Sequence, residues 1–348
     1  MMLHKVFSGS EFNEQYKDCE FYKLFHKDLR HYGYTYVNGL NVDTNEFNPS
    51  GECSQGGLYF TEKNNILLWM NDYYYITKCI IPNDAIVYIE SNKFKSNKII
   101  VDINNKEEIC KSHVWNDDKF CKLAVKENVY LLRYVKRQTD EICKLAILKN
   151  YNVFEYVKDQ TDEICKFAIS QSGYALKYVK EQTEEICKMA VQRNCYALQY
   201  VKEQTEEICK LAVSQDVHAL QYVKEQTDEI CKLAVSQNGY ALLYVKEQTD
   251  EICKIAVSQN SYALRYVKDQ TDEIFKLAFQ QNAHSLQFVK EQTDELCKFA
   301  VSQNGLSLQY VKEQTEELCI MAFQQNKNTF KTIDEKMLQI ILNVFSTK

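Results

Sequence analysis

Apolar and polar positions keep a fixed period over most of this chain. The order Thr, acid, Glu, apolar, Cys, Lys, any residue, Ala first appears whole at Thr139–Ala146. It returns at Thr161, Thr183, Thr205, Thr227, Thr249, Thr271, Thr293 and Thr315, 22 residues apart each time. A degenerate copy starts one period earlier at Asp117 and runs through Cys121 to Ala124. Ten units therefore lie between Asp117 and about Asn328. A period of this size is the mark of a repeat architecture, in which each unit buries its apolar face against its neighbours.

The unit Thr161–Gln182 shows what is repeated. At 100° per residue, Ile164, Cys165, Phe167, Ala168 and Ile169 share one wide apolar arc, with Lys166 and Ser170 opposite. Thr161 reads as an N-cap, and Asp162 and Glu163 meet the positive end of the helix dipole. Gly173 reads as the helix stop. Tyr174, Ala175, Leu176, Tyr178 and Val179 form a second arc. Each unit thus predicts two short helices. Both fall below the ~12–15 residues that a free helix needs, so stacking must hold them.

Two columns separate packing from surface. The Ala column (Ala146, Ala168, Ala190, Ala212, Ala234, Ala256, Ala278, Ala300, Ala322) never varies, as close helix approach requires. The column Arg133, Glu155, Lys177, Gln199, Gln221, Leu243, Arg265, Gln287 and Gln309 varies freely and faces outward by geometry. It is the expected partner-contact column.

Residues 1–104 are a different material. Both prolines and six of the nine glycines lie there. Strands are predicted at Tyr34–Val42 (broken at Asn38-Gly39), Leu58–Phe60, Tyr73–Ile81, Ala85–Glu90 and Lys98–Ile103. Glu20–Lys27 reads as a short helix or strand, Asn45–Gly57 as a loop, and Thr61 as the cap of a helix over Asn64–Met70. The expectation is a small α+β module at 1–104, a linker or N-terminal capping helix at 105–116, the repeats at 117–328 and a C-terminal capping helix at 329–348. The predicted fold class is mostly α: an α-solenoid of about ten 22-residue two-helix repeats behind a small α+β domain.

Charge and cysteine content narrow the chemistry. The net charge is −6 and no continuous basic stripe appears, which argues against nucleic-acid binding. No apolar stretch reaches the ~18–20 residues of a membrane span, and the first residues lack a signal-peptide core; a reducing, cytosolic-type setting is expected. Nine of the 14 cysteines (Cys121, Cys143, Cys165, Cys187, Cys209, Cys231, Cys253, Cys297, Cys319) share one column, which Phe275 also occupies. A column that accepts Phe is apolar packing. Neighbours in stacked units stand ~8–10 Å apart, beyond the ~7 Å Cα limit of a disulfide. The six histidines show no metal-ligand spacing, and Gly51–Gly57 contains no phosphate-binding Gly-Lys-Ser/Thr. No cofactor or metal is expected.

Two resemblances follow from these residues. Units such as YALQYVKEQTEEICKLAVSQ resemble a short tandem repeat of unknown function that is abundant in giant amoeba-infecting viruses of the mimivirus type. GLNVDTNEFNPSGECSQGGLYFT (Gly39–Thr61) with IIPNDAIVYIESNKFKSNKI (Ile80–Ile99) is similar to a module at the front of many proteins of those viruses, often ahead of ankyrin or other repeats. This implies a viral protein made in host cytoplasm, and no particular activity. Separately, Gly56-Gly57-Leu58-Tyr59-Phe60-Thr61 resembles the Gly-x-Tyr-Phe strand of ADP-ribosyltransferases. That likeness implies an NAD site in which His26 holds the ribose, Tyr59 stacks on nicotinamide and Glu90 stabilises the developing cation. The chain departs from that family in following His26 with Lys27 rather than Gly, and in placing Glu90 only 31 residues after Tyr59. The leading expectation is a non-catalytic repeat scaffold for an unknown host or viral protein partner. The alternative is an NAD-using N-terminal domain with the repeats as a targeting arm.

Overall fold

The computed structural model describes residues 5–49 and 55–346. The middle of the expected loop Asn45–Gly57 lies outside them, as do His4 and Gly51. The described chain is mostly helical: a small N-terminal sheet region, then many repeated helices. By spatial contact it divides into two compact units, Met1–Ile164 and Cys165–Lys348.

The first unit opens with an antiparallel sheet. Its strands are β1 (Val6–Ser8), β2 (Phe21–Phe25), β5 (Gly39–Val42), β6 (Leu58–Glu62), β7 (Tyr75–Ile80), β8 (Ile86–Ile89), β9 (Phe94–Ser96) and β10 (Lys98–Val101), in the spatial order β1-β8-β9-β6-β2-β7-β10-β5. A short ninth strand, β11 (Glu107–Glu108), pairs with β7. The two-residue strands β3 (Arg30–His31) and β4 (Tyr34–Thr35) form a separate hairpin. Sequence patterning finds the long strands and misses β1, β9 and the helix Gly9–Gln15. Ser8 and Glu11 cap that helix reciprocally. It lays Phe12 against Phe21, Phe60 and Phe94, with ring centroids 5.0–5.9 Å apart.

Thr61 is not a helix cap. It lies inside β6, buried, and its hydroxyl donates to the Asn92 carbonyl at 2.9 Å. The helical turn after it is shorter than expected, a 3₁₀ turn at Lys63–Asn65 followed by Ile66–Trp69. The segment 105–116 holds β11 and two 3₁₀ turns, Ile109–Lys111 and His113–Asn116, where a helix was expected. Trp115 ties this segment to the first repeat. Its indole N–H donates to the Ile109 carbonyl at 2.8 Å, and its own carbonyl accepts from Cys121 Sγ and the Lys136 N–H. Asp117 caps the helix Asp118–Glu127 and takes Lys63 Nζ at 2.8 Å.

Each later repeat is one ten-residue α-helix and one 3₁₀ helix of mostly six residues, so the second predicted helix is not α. In the second unit Asp228–Gln237 and Gly239–Tyr244 are typical. Thr227 caps the α-helix as predicted, accepting from the Ile230 N–H at 3.4 Å. Asn238 ends it in an extended conformation and caps the 3₁₀ helix through the Tyr240 N–H at 3.0 Å. The predicted stop at Gly173 is corrected by the same geometry. Ser172, extended at φ −157°, ends that helix, and Gly173 is the first 3₁₀ residue. A Cβ on Gly173 would stand 2.5 Å from the Ala190 carbonyl oxygen, so closeness to the next repeat accounts for the glycine. Successive α-helices of this unit pack side by side, as do successive 3₁₀ helices. Every Ala of the invariant column is fully buried. The helix Glu335–Ser346 packs on Glu316–Gln325 and buries Ile341.

Candidate interaction surface and aromatic cleft

All nine residues of the variable column are exposed: Arg133 and Glu155 in the first unit, and Lys177, Gln199, Gln221, Leu243, Arg265, Gln287 and Gln309 in the second. They sit on the 3₁₀ helices, whose short pitch fixes their direction. Gln199, Gln221, Gln287 and Gln309 donate their side-chain amides back to carbonyls three residues earlier, at 2.9–3.0 Å. Arg133 and Arg265 lie over flanking rings, Arg265 at 5.2 Å from Tyr266 and 5.4 Å from Phe288.

Beside this column runs a half-buried ring row. Tyr174 meets Tyr200, Tyr196 meets Tyr222, His218 meets Tyr244, Tyr240 meets Tyr266, Tyr262 meets Phe288 and His284 meets Tyr310, all edge-on at 5.3–6.1 Å. The histidines at 218 and 284 fill ring positions. Each ring thus contacts the following repeat.

The opposite face is a charge ladder. Lys188 pairs with Glu207 at 2.9 Å, Lys210 with Glu229 at 2.5 Å and Lys232 with Glu251 at 2.6 Å, always one repeat on. Between the faces runs a polar seam. Gln226 Nε2 donates to the Leu220 and Tyr244 carbonyls at 3.1 and 2.9 Å, and its Oε1 accepts the Lys246 N–H. The same bonds recur at Gln182, Gln204, Gln248, Gln270 and Gln292. Lys224, Lys246 and Lys290 reach back to carbonyls of the preceding repeat. The Lys-x-Gln before each Thr is therefore a joint between repeats, where patterning showed only a lead-in. The buried thiols border this seam. Burial pushes Cys209, Cys231 and Cys253 up to about 11, and Cys231 Sγ donates to Gln226 Oε1 at 3.8 Å.

The sheet of the first unit carries a cleft lined by Lys23, His31, Tyr32, Tyr59, Trp69, Tyr73 and Lys93 among others, open to solvent, with ≈ 410 Å³ of non-protein space in and above it. Of His26, Tyr59 and Glu90, Tyr59 alone lines it. His26 stacks on Tyr73 at 4.6 Å and stands 6.1 Å from His31, which is the histidine beside Tyr59, at 5.9 Å. Glu90 is buried and pairs with Lys93 at 3.3 Å, and Lys93 Nζ lies 4.8 Å from the Tyr59 ring centre. Gly57, at φ +144°, lets the chain pass over Lys95, whose Cγ would lie 2.5 Å from a Cβ there. Burial, with Lys23 next, pushes His31 down to about 3, so its imidazole is neutral. Lys23, His31, Trp69, Tyr73 and Lys93 gave no signal in sequence, because they come from four separate segments. Among the described residues no group of three or more His, Cys, Asp or Glu stands ready to hold a metal ion.

The comparisons bear on the repeats. The family model for a domain of unknown function (DUF4116) matches residues 183–227, 205–249 and 227–271, windows that step by one repeat. Two proteins of Acanthamoeba polyphaga mimivirus are similar to this chain. Both are named as ankyrin repeat proteins. One is 32% identical over 90 residues, which is 24% of this chain and 45% of that protein. The other is 40% identical over 55 residues, 16% of this chain and 18% of that protein. The chain thus spans less than half the length of either relative it matches. No solved structure matches. These relatives support a giant-virus origin for a chain of repeats.

Proposed function

We propose that this chain is a viral protein-docking scaffold without catalysis of its own, an α-solenoid of 22-residue repeats that works in host cytoplasm. The domains are read as residues 1–104, 105–116, 117–328 and 329–348, the first being the front module common in those viruses. The partner is a protein, neither nucleic acid nor membrane. The observation that carries this reading is the variable column. It is a freely varying position of the array, and all nine of its residues are exposed beside a ring row that joins one repeat to the next. A surface of mostly aromatic steps whose neighbouring letters change from repeat to repeat suits specific docking. The relatives' names as repeat proteins support the same reading.

The test is capture from infected amoeba lysate with three baits. These are the wild-type chain, a column variant (Q199E, Q221E, Q287E and Q309E together) and a ladder variant on the other face (K188E and K232E). A protein retained by the wild type and the ladder variant but lost by the column variant is the expected result. Equal retention by all three baits would remove the column from the reading.

A further inference from the structure

Three lysines surround the Tyr59 ring or line its cleft, and they are satisfied unequally. Lys93 pairs with Glu90. Lys95 donates to the Asn48 and Gln55 carbonyls at 2.9 and 3.3 Å. Lys23 is buried in the middle of β2 at 1% exposure, with neither a hydrogen-bond acceptor nor a carboxylate among the described residues. Its ammonium rests on rings, 4.6 Å from the centre of Tyr36 and 5.9 Å from that of Phe25. A buried amine without an acceptor is costly, and a sheet core has no packing need for one. The same cleft holds a second unspent donor: the Trp69 indole N–H is buried and has no partner. The remaining lining is mostly aromatic, from His31, Tyr32, Tyr59, Phe60 and Tyr73, with Leu24 and Thr61. The cleft therefore offers donors, positive charge and ring faces together.

We propose that this cleft binds a small aromatic carboxylate, its ring held among Tyr59, Tyr73 and Trp69 and its carboxylate received by Lys23, with the Trp69 N–H as a second donor in the same cleft. The carboxylate supplies what Lys23 lacks, an acceptor of opposite charge. The rings supply stacking surface for the ring of such a ligand. The site is independent of the repeat column, so a ligand here and a protein there are separate occupancies.

Burial pushes Lys23 down to about 7, which makes the binding pH-dependent. The charged form binds the anion. Affinity is therefore full below pH ~6 and falls up to about tenfold per unit above pH ~7 as the free amine loses its proton. The ionisable groups around Lys23 include His31, Cys79 and Tyr36, with His26 stacked on Tyr73. His31 is already neutral, and burial keeps the Cys79 thiol and the Tyr36 phenol protonated.

The experiment is calorimetric titration of the full chain with benzoate, benzyl alcohol and acetate at pH 6 and pH 8.5. Benzoate is expected to bind at least tenfold tighter than either the uncharged ring or the ringless anion, and to weaken at least tenfold at pH 8.5. K23M should abolish the preference for benzoate over benzyl alcohol, and W69F should weaken benzoate binding. Should K23M fail to fold, the wild-type pH dependence and W69F still decide. Equal affinity for benzoate and benzyl alcohol, no benzoate binding at millimolar concentration, or affinity unchanged between the two pH values overturns the proposal. Binding of the probe without any protein partner present leaves the scaffold reading untouched, and loss of the partner in the capture test leaves this one untouched.

Discussion

The side-chain amide of Gln226 satisfies four groups at once: two carbonyls, the Lys246 N–H and the Cys231 thiol. Removing it leaves three backbone groups in a part-buried seam without partners. Each such orphan costs roughly 1–3 kcal/mol, so Gln226→Ala is expected to lower stability by about 2–4 kcal/mol. Urea unfolding of the full chain checks this; a loss below about 0.5 kcal/mol would mean that water takes over the bonds. Ala234 makes the opposite point. It is fully buried where two helices meet, so Ala234→Val overpacks the contact and costs about 1–3 kcal/mol by the same measurement. Ala234 was legible in sequence because its column never changes. Gln226 stood in an equally constant column, yet a glutamine ahead of a helix cap reads as solvated. Its role needs the Tyr244 carbonyl, which lies 18 residues away and becomes a neighbour only when the next repeat stacks.

At the scale of the element, caps decide where helices start. Thr227 accepts from the Ile230 N–H, and Thr227→Ala is expected to cost about 1 kcal/mol. Thr271 makes no cap bond, and its hydroxyl donates instead to Asp250 at 3.4 Å. Thr271→Ala should therefore cost visibly less, and equal losses in thermal melts would show that the hydroxyl matters for another reason. The Cys column predicts alkaline behaviour. A thiol held near 11 in the fold and near its ordinary value of about 8.5 when unfolded favours the folded state's proton. Stability is then unaffected below pH ~8.5 and falls as pH rises toward 11, where the unfolded thiols ionise first. Cys231→Ala should flatten that fall in a pH series of urea midpoints. Nothing in the residue pattern tells the 3₁₀ helix from an α-helix. Over six residues, steps of 100° and 120° place the same apolar residues on nearly the same arc. Thr161 and its counterparts were recognised because the helix that follows is ten residues long. The caps of the shorter helices, Asn194, Asp216 and Asn238, precede runs too short to mark them.

For the whole molecule, the two units were legible to different depths. The repeats announce themselves by period, so their elements are found wherever the first is found. The sheet has no such redundancy. Its cleft gathers Lys23 from β2, Tyr59 from β6, and Trp69, Tyr73 and Lys93 from the connections around them, and only the spatial strand order brings them together. Tyr59 of the GGLYFT stretch lines the cleft, and the histidine whose ring meets it is His31 rather than His26. In the repeats, each contact spans 18 to 23 residues, so stability is a sum of like joints. Deleting residues 205–226, one whole period, is expected to keep a cooperative melt with a modestly lower midpoint. Deleting 205–215 alone should break the seam and give a broad, low transition. Calorimetry distinguishes the two.

The glutamine seam carries a consequence for how such a chain changes over generations. Because Gln204, Gln226 and Gln248 grip their successors through backbone atoms, an interior joint holds no record of which copy it joins. Copying or losing a whole period in the gene leaves every remaining joint valid, whereas a shift of any other length does not. The last glutamine, Gln314, grips Thr332 and Asp334, so the closing segment takes the place of one more copy without repeating its sequence. Length in this lineage is thus free to vary in whole-period steps, and the order of letters on the outer column works as a text that can be lengthened or shortened without rewriting the grammar beneath it.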